Sequence, residues 1–473
     1  MSSLNEVAGW LRNRLPALLA EHRVPGAALA VSAGGQVVEV AAGVLSKATG
    51  VAATADSVFQ IGSVTKVWTA TLIMQLVDEG RLDVDAPVRD VLPDFRVADE
   101  AASAAITVRH LLAHTAGFEG DIFTDTGRGD DCVRRYVDTL GEVAQLFPPG
   151  EMFSYNNAGF CVLGRVVEVL RGKPYDVCLR EHLFAPLGLT HAATGADEAI
   201  LFRAAVGHIQ PDPDADPEPA PIWSLARSSA PAGSMLAMRP RDLLAFAQLH
   251  IDGGRAPDGT AVLAPHSADA MRQPQVTLPR LGLMGDAWGL GWEIYDWPGG
   301  RVLGHDGGTV GQAAFLRVVP DRNVALVLLT NGGNPIALYT EIYGHVLREL
   351  AGIEMPALPT PPSAPQRVPV DRYLGTYTSD VSELTVSQDD AGRLWLDQVP
   401  KGVLAEIGGQ PERTELVHLD AETFLPVRPR LGIHLPQVFL GDDGTGRALY
   451  IHSGRATRRA GVPTPTSSPR ERR

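Results

Sequence analysis

The segment Gln60-Ile-Gly-Ser-Val-Thr-Lys66 places Ser63 at the start of a predicted helix, residues 64–79, and Lys66 one turn further on. Residues three apart share one face of a helix, so the Ser63 hydroxyl and the Lys66 amine are expected within hydrogen-bonding reach. A serine hydroxyl becomes a nucleophile when a neighbouring base takes its proton, and a lysine behind an apolar helix face can serve as that base. Ser-x-x-Lys alone also fits a helix-capping serine and a surface lysine, so other segments must decide.

Two further motifs share this chemistry. Gly150-Glu-Met-Phe-Ser-Tyr155-Asn-Asn157 precedes a helical pattern at 157–171, and Gly304-His305-Asp-Gly-Gly308-Thr-Val-Gly311 precedes a predicted strand at 313–319. With Ser-x-x-Lys, Tyr-x-Asn and His-x-Gly in this order, the chain resembles the serine β-lactamase/penicillin-binding-protein superfamily, specifically its class C-like branch. The resemblance covers roughly residues 8–350 and is supported by four more segments: Val108–Gly117, Leu183–Leu189, Trp288–Trp292 and Leu328–Asn331.

The order of elements predicts an α+β fold. A hairpin signature around Gly34-Gly35 is followed by helical patterns and then by two strands and a helix at 335–351. The resemblance implies a β-lactamase-like antiparallel sheet with a helical subdomain. Short strands after a proline-rich stretch predict a small antiparallel β-barrel, which the resemblance makes lipocalin-like.

Composition shifts along the chain predict its domains. These are a catalytic domain (residues 1–352), a proline-rich linker (353–370), the barrel (371–461) and a disordered tail (462–473). A second proline-rich stretch, 211–221, is interpreted as either an active-site lid or a solvated loop.

The resemblance implies a role for each motif side chain. Ser63 would attack the substrate carbonyl, and Lys66 and Tyr155 would share the work of the general base, with Tyr155 passing its proton to the departing group. Asn157 would orient Lys66 and bind the substrate amide. Its neighbour Asn156 is the alternative, and motif spacing favours Asn157.

The glycine-rich motif would supply the oxyanion hole. The backbone N–H groups of Ser63 and Gly308 would bind the oxyanion, and Gly307 would allow close approach of the backbone. His305 departs from the lysine or arginine usual in penicillin-recognising enzymes, so we expect a hydrogen-bonding or proton-relay role with Tyr155 rather than a fixed cation. Three other histidines are interpreted as structural: His110, His114 and His208.

Charge and hydropathy limit the partners. A formal net charge of −14 argues against nucleic acid or an anionic membrane surface as the main partner. No apolar run approaches the roughly 20 residues that span a bilayer. Residues 3–22 carry Glu6 and Arg12 at positions where a secretion signal would be apolar, so we predict an amphipathic surface helix and a cytoplasmic protein.

Neither metal nor cofactor is predicted. No group of His, Asp and Glu has metal-ligand spacing. The three cysteines, Cys132, Cys161 and Cys178, form no CxxC motif and are expected to be buried and unpaired.

Three functions fit the motifs. The chain resembles the penicillin-binding-protein-type thioesterases, stand-alone cyclases of nonribosomal peptide assembly lines with a C-terminal lipocalin-like barrel. That resemblance implies a peptidyl thioester, delivered on a phosphopantetheine carrier protein, that acylates Ser63 and is released by macrolactamisation. The alternatives are a hydrolase, either an esterase or a D-stereospecific peptidase, and a non-catalytic binding relative, which the intact motifs disfavour.

The cyclase hypothesis requires a site that excludes water. We expect the barrel to roof the cleft, and one arginine of its last strand to bind a substrate or pantetheine group. The candidates are Arg455 and Arg459 on one face, and Arg458 on the other. A solvated basic strand end is the alternative interpretation.

Overall fold

The computed structural model describes residues 2–210, 215–402, 405, 409–430 and 432–462. Its α-helices are α1 (Leu4–Glu21), α2 (Thr65–Asp78), α3 (Glu100–Ala105), α4 (Val108–Leu112), α5 (Cys132–Asp138), α6 (Asn157–Arg171), α7 (Tyr175–Leu179), α8 (Ala196–Ala199), α9 (Pro240–Ile251), α10 (Pro265–Met271) and α11 (Pro335–Ala351). Short 3₁₀ turns occur at Gly62–Val64, Val88–Asp90, Thr139–Glu142, Arg227–Ala232 and Pro320–Arg322, and a π-helical turn at Arg180–Phe184.

The strands fall into a catalytic part and a C-terminal part. The first contains β1 (Gly26–Ala33), β2 (Gln36–Gly43), β3 (Phe59–Gln60), β4 (Ala192–Ala193), β5 (His208–Ile209), β6 (Glu218–Pro219), β7 (Ala237–Met238), β8 (Val276–Thr277), β9 (Ala287–Trp288), β10 (Glu293–Trp297), β11 (Gly300–Gly308), β12 (Ala313–Val319) and β13 (Val324–Thr330). The second contains β14 (Gly375–Thr378), β15 (Ser382–Gln388), β16 (Leu394–Pro400), β17 (Glu412–Asp420), β18 (Thr423–Pro426), β19 (Gln437–Leu440), β20 (Tyr450–His452) and β21 (Ala456–Arg459).

The main sheet is antiparallel and lies between two layers of helices. Its strand order is β2-β1-β13-β12-β11-β10-β9-β8. Along β13, alternate side chains enter different cores: Leu326 and Leu328 pack with α1 and α11, whereas Val327 and Leu329 pack with α2 and α9. Because both faces are covered, β13 is buried throughout and apolar from Val324 to Leu329. The predicted α+β arrangement is confirmed.

Helix α2 runs through the middle of the helical layer. Its residues from Thr65 to Leu76 are all buried, as expected for a helix that is apolar nearly all round. Trp68 stacks on Phe246 of α9 with ring centroids 3.8 Å apart. The first turn of α2 is therefore fixed in the core, next to Ser63.

The C-terminal strands β14 to β21 close into an antiparallel barrel. Closure is made by pairing of Tyr377 and Arg459. The segment between Ala351 and Gly375 contains no helix or strand, and its Ile353 packs into the core formed by α1 and α11. Of the predicted tail, 462–473, only Val462 lies within the described residues.

Several local predictions can be compared with the structure. The three cysteines are free and buried, as expected. Of the Trp288–Trp292 segment, only the first residue belongs to a strand, β9. Of the 211–221 stretch, residues 211–214 lie outside the described part, and the rest contributes β6, which pairs with β5.

Candidate active site

Ser63 and Lys66 meet at the start of α2. Ser63 lies in the 3₁₀ turn that precedes the helix, and the Lys66 ammonium donates to Ser63 Oγ at 3.0 Å and to the carbonyl oxygen of Ala232 at 2.6 Å. Lys66 has no exposed surface, and this burial lowers its pKa from the ordinary 10.5 to about 7. At neutral pH much of the Lys66 population is uncharged and able to accept the Ser63 proton.

Tyr155 approaches the same hydroxyl from the loop before α6. Its phenol hydrogen-bonds to Ser63, and Lys66 Nζ lies 4.8 Å from the centroid of its ring. Burial raises the pKa of Tyr155 above its ordinary value, so the phenol stays protonated at neutral pH. The Ser63 hydroxyl thus contacts an amine that can take a proton and a phenol that can give one.

Glycines bring the predicted oxyanion-hole segments together. A Cβ at Gly307 would overlap the carbonyl oxygen of Ile61, and a Cβ at Gly62 would lie 2.6 Å from the Gly308 nitrogen. Only hydrogen fits at these positions, so the end of β11 packs directly on the turn that carries Ser63. Ser63 and Gly308 both line the cleft, which is the placement that a pair of oxyanion donors requires.

A cleft of about 520 Å³ opens at Ser63. Apolar side chains of Ile122, Phe123 and Leu225 form much of its wall. The remaining lining residues are Tyr155, Asn157, Ala226, Ser229, Ala232, Gly233, Ser234, Gly308 and Arg455. The acyl group would therefore sit against a largely apolar surface.

The barrel contributes directly to this cleft. Arg455 lies in the turn between β20 and β21, and its guanidinium stands 4.9 Å above the Tyr155 ring and forms an ion pair with Asp121. The backbone N–H of Tyr155 donates to the carbonyl oxygen of Gly454 at 3.0 Å. His452 bonds to the carbonyl oxygen of Phe153 at 2.8 Å. The β20–β21 hairpin thus holds the Tyr155 loop.

The other two barrel arginines bind buried carbonyl oxygens rather than lining the cleft. Arg459 points into the barrel, where it donates to the carbonyl oxygens of Ala448 and Leu374 and stacks on Tyr377. Arg458 donates to the carbonyl oxygen of Leu146 at the contact between barrel and catalytic domain. Both guanidinium groups satisfy buried carbonyl oxygens, so the expectation that an arginine points into the cleft applies to Arg455 alone.

The two asparagines also differ from expectation. Asn156 is buried and caps α6: its side-chain oxygen accepts from the N–H of Gly159, and its amide donates to the carbonyl oxygen of Phe118. Asn157 lines the cleft, but its amide donates to Asp121 at 2.7 Å rather than to Lys66. Asn156 is occupied as a helix cap, which leaves Asn157 as the asparagine accessible to substrate.

His305 is deeper than the sequence indicated. It is buried, and its Nδ1–H donates to the carbonyl oxygen of Asp306 at 2.7 Å, so Nε2 carries the lone pair. Burial, together with Lys66, lowers its pKa to about 3. Its ring centroid lies 6.4 Å from that of Tyr155, without the expected direct hydrogen bond. His305 is thus a neutral ring behind the site and does not act as a fixed cation.

Three contributors escaped the sequence analysis. Asp121 joins Asn157 to Arg455, Ala232 accepts from Lys66, and His114, predicted to be structural, stacks on the Tyr155 ring. Asp121 and Ala232 belong to no motif, because each acts through its position in space. A signal for His114 existed in the Val108–Gly117 segment.

Comparison with known proteins defines the family. A family model described as Beta-lactamase matches residues 11–349. The chain belongs to the beta-lactamase family. Penicillin-binding protein 4 of Amycolatopsis lactamdurans is 49% identical over 373 residues, which are 78% of this chain and 97% of the relative. The predicted superfamily is thereby confirmed, and its members' serine chemistry supports an enzyme.

Two further relatives extend over most of the chain. The crystal structure of SurE with D-Leu has a TM-score of 0.75 and 31% identity, covering 96% of this chain and 100% of SurE, so that the likeness includes the barrel. The unguisins hydrolase ungD′ of Aspergillus campestris is 24% identical over 427 residues, 80% of this chain and 79% of the relative. The predicted combination of a β-lactamase-like domain with a lipocalin-like barrel is confirmed.

Other predictions remain open. Among the described helices, none combines the length and apolarity needed to cross a bilayer. The cytoplasmic location, the carrier-protein partner and the absence of a cofactor stay predictions. One surface trio in the described part, Glu21, His22 and Glu341, has ligand atoms close enough together for a metal, but it lies on α11 and the end of α1, behind the sheet.

Proposed function

We propose that the protein is a serine acyl-enzyme peptide cyclase, which takes a nonribosomal peptidyl thioester onto Ser63 and releases it by head-to-tail macrolactamisation. The observation that carries this proposal is the β20–β21 hairpin, which brings Arg455 over Tyr155 and makes the barrel part of the cleft wall. Cyclisation needs an acyl-enzyme that survives until the peptide's own amine arrives. A second domain at the cleft and apolar walls both favour an amine over water.

The geometry supports a two-step acyl transfer. Ser63 Oγ forms an ester bond with the thioester carbonyl while Lys66 takes the hydroxyl proton. The carbon–sulfur bond of the thioester breaks, Tyr155 protonates the departing carrier thiolate, and Lys66 passes the proton that it took to Tyr155. The N-terminal amine of the peptide then attacks the ester. The amide bond forms, the Ser63–acyl bond breaks, and the amine's proton returns by the same pair of side chains to Ser63.

The neutral state of the buried groups suits both steps. Lys66, with its pKa lowered to about 7, can accept a proton near neutral pH, and the protonated Tyr155 can give one. His305 stays uncharged. It therefore adds no positive charge that would disfavour the ammonium form of Lys66, which arises when Lys66 takes the Ser63 proton. An oxyanion formed in either step would lie between the N–H groups of Ser63 and Gly308.

The relatives suggest the stereochemistry of the acyl donor. SurE was solved with D-Leu, and its likeness covers both domains of this chain. We infer that the residue joined to Ser63 has the D configuration and an apolar side chain, in keeping with Ile122, Phe123 and Leu225 in the cleft wall. The carrier would present this residue as a phosphopantetheine thioester.

A hydrolase is the second candidate. The unguisins hydrolase named above resembles this chain over most of its length, which favours water as the acceptor. The two functions share acylation of Ser63. They differ in whether the amine of the peptide or a water molecule then attacks the Ser63 ester. The product, rather than the rate of thiol release, is therefore the decisive readout.

The test uses linear peptidyl N-acetylcysteamine thioesters with a D- or an L-residue at the C-terminus, and mass analysis of the products. A high ratio of cyclic peptide to linear acid from the D-peptide supports the cyclase, and linear acid alone refutes it. Ser63→Ala should abolish both products. Arg455→Ala should lower the ratio of cyclic to linear product. Arg430→Ala, at an exposed barrel arginine, is the matched control and should leave this ratio unchanged.

A further inference from the structure

His114 occupies an unfavourable backbone conformation next to the site. It follows α4 with φ +56°, the left-handed region that ends many helices and that glycine or asparagine adopts most readily. The side chain is completely buried. A buried ring at a position better suited to a small residue points to a specific task for that ring.

The contacts of His114 converge on the Tyr155 loop. Its carbonyl oxygen accepts the N–H of Ser154 at 2.9 Å, and its Nδ1 accepts the N–H of Asn156 at 2.9 Å. Its ring lies against the Tyr155 ring, with centroids 4.4 Å apart and an interplanar angle of 31°. His114 therefore holds the residue before Tyr155, the residue after it and the phenol ring itself.

Residues 153–156 lack regular secondary structure and need this support. The three consecutive N–H groups of Ser154, Tyr155 and Asn156 donate to His114, to Gly454 of the barrel and again to His114. No other backbone ladder fixes this stretch within the described residues. The direction of the Tyr155 hydroxyl thus depends on contacts from outside its own segment, chiefly with His114 and with the barrel.

The protonation state of His114 suits this task. Because Nδ1 accepts a hydrogen bond, the ring proton resides on Nε2. Burial and the nearby Lys66 keep the pKa of His114 well below its ordinary value, so the imidazole is neutral throughout the neutral range. A neutral ring can stack on Tyr155 without adding a positive charge beside Lys66.

We propose that His114 is a positioning residue that sets the Tyr155 phenol against Ser63. It touches no reacting atom and acts through Tyr155. The inference rests on the proposed function only as far as acylation of Ser63, a step that cyclisation and hydrolysis share. The Tyr155 hydroxyl must stay within hydrogen-bond distance of Ser63. A small shift of its loop should therefore slow acylation more than it weakens substrate binding.

Two variants separate the two contacts. His114→Phe keeps an aromatic ring and removes the acceptor for the Asn156 N–H. His114→Asn keeps an acceptor atom near the place of Nδ1, suits the left-handed backbone and removes the stacked ring. His110→Asn is the matched control, because His110 belongs to the same segment and accepts instead from the N–H of Thr107.

Acylation is measured with the N-acetylcysteamine thioester of N-acetyl-D-leucine, by following the released thiol well below the melting temperature of each variant. His114→Phe should lower kcat between about tenfold and a hundredfold, with KM changed less than about threefold. For His114→Asn, kcat should fall by about three- to tenfold, which is a partial rescue relative to His114→Phe. For His110→Asn, kcat should stay within about twofold of the wild-type value.

A wild-type kcat for His114→Phe would overturn the proposal, and so would a loss in His110→Asn as large as that in His114→Phe. If His114→Phe does not fold, His114→Asn decides by itself: a wild-type kcat for this variant refutes the role of the stacked ring. Thiol release that persists in Ser63→Ala would instead refute the proposed function, so the two failures are distinguishable.

Discussion

Lys66 offers the sharpest test of the site, because burial of its amine both makes it a base near neutral pH and lowers the stability of the folded chain. Only the neutral amine can take the Ser63 proton, and burial places its pKa at about 7. The rate of Ser63 acylation should therefore fall about tenfold for each pH unit below 7 and level off above it. The assay is thiol release from a peptidyl thioester between pH 5 and 9.

The same shift makes stability depend on pH. The unfolded chain keeps the Lys66 proton up to about pH 10.5, whereas the folded chain releases it near 7. Between these values the unfolded state binds more protons, so the stability of the folded state rises with pH, and below pH 7 the penalty is fully present. This penalty amounts to about 4 kcal/mol at pH 7 and about 2 kcal/mol at pH 9.

Lys66→Met, which removes the charge and nearly preserves the side-chain volume, should make the penalty visible. The variant should be inactive and more stable than the wild type in urea unfolding, although the unpaired carbonyl of Ala232 offsets part of the gain. The excess stability should shrink by about 2 kcal/mol between pH 7 and pH 9. Lys173→Met, at a half-exposed lysine paired with Glu181, is the control and should show no such change.

An equal excess stability at both pH values would refute this reasoning. Acylation that stays flat from pH 7 down to pH 5 would refute it as well. Either result would mean that Lys66 is not a buried lysine that loses its proton near neutral pH.

Three further predictions follow from buried contacts in the same region. Arg317 is buried and paired with Asp306 through two hydrogen bonds, so Arg317→Met should lower the free energy of unfolding by about 3–5 kcal/mol in urea. Adding Asp306→Asn should restore most of the lost stability. Equal losses in the single and the double variant would contradict the pairing. Gly307→Ala should lower kcat at least about tenfold, because its Cβ would collide with the Ile61 carbonyl, and an unchanged kcat would contradict the close approach. Asn156→Ala should cost about 1 kcal/mol or more of stability in thermal unfolding, since it removes the cap of α6.

Much of the fold was predictable from local patterns. The strand 313–319 and the helices 157–171 and 335–351 have the predicted bounds, because alternation, helical periodicity and turn residues are properties of neighbouring positions. The π-helical turn at Arg180–Phe184 was not predictable. Nothing in its local pattern distinguishes it from an ordinary helical turn.

The candidate site was predictable in its motif residues and less so in their partners. Ser63, Lys66 and Tyr155 meet as the motifs indicated. Asn157 was assigned to Lys66 but donates to Asp121, and Asn156 proved to be a helix cap. Motif spacing singles out Asn157, which does line the cleft, but the hydrogen-bond partners of both asparagines depend on where α6 begins in space.

The sequence by itself determined the chemistry: a serine, a lysine and a tyrosine in ordered motifs, and a second domain that follows a proline-rich stretch. Only the tertiary structure decided the environment of these groups. The lowered pKa of Lys66 follows from complete removal of water around α2, and Arg455 reaches Tyr155 across 300 residues of chain. Desolvation and long-range contact depend on how whole elements pack, so no local pattern encodes them.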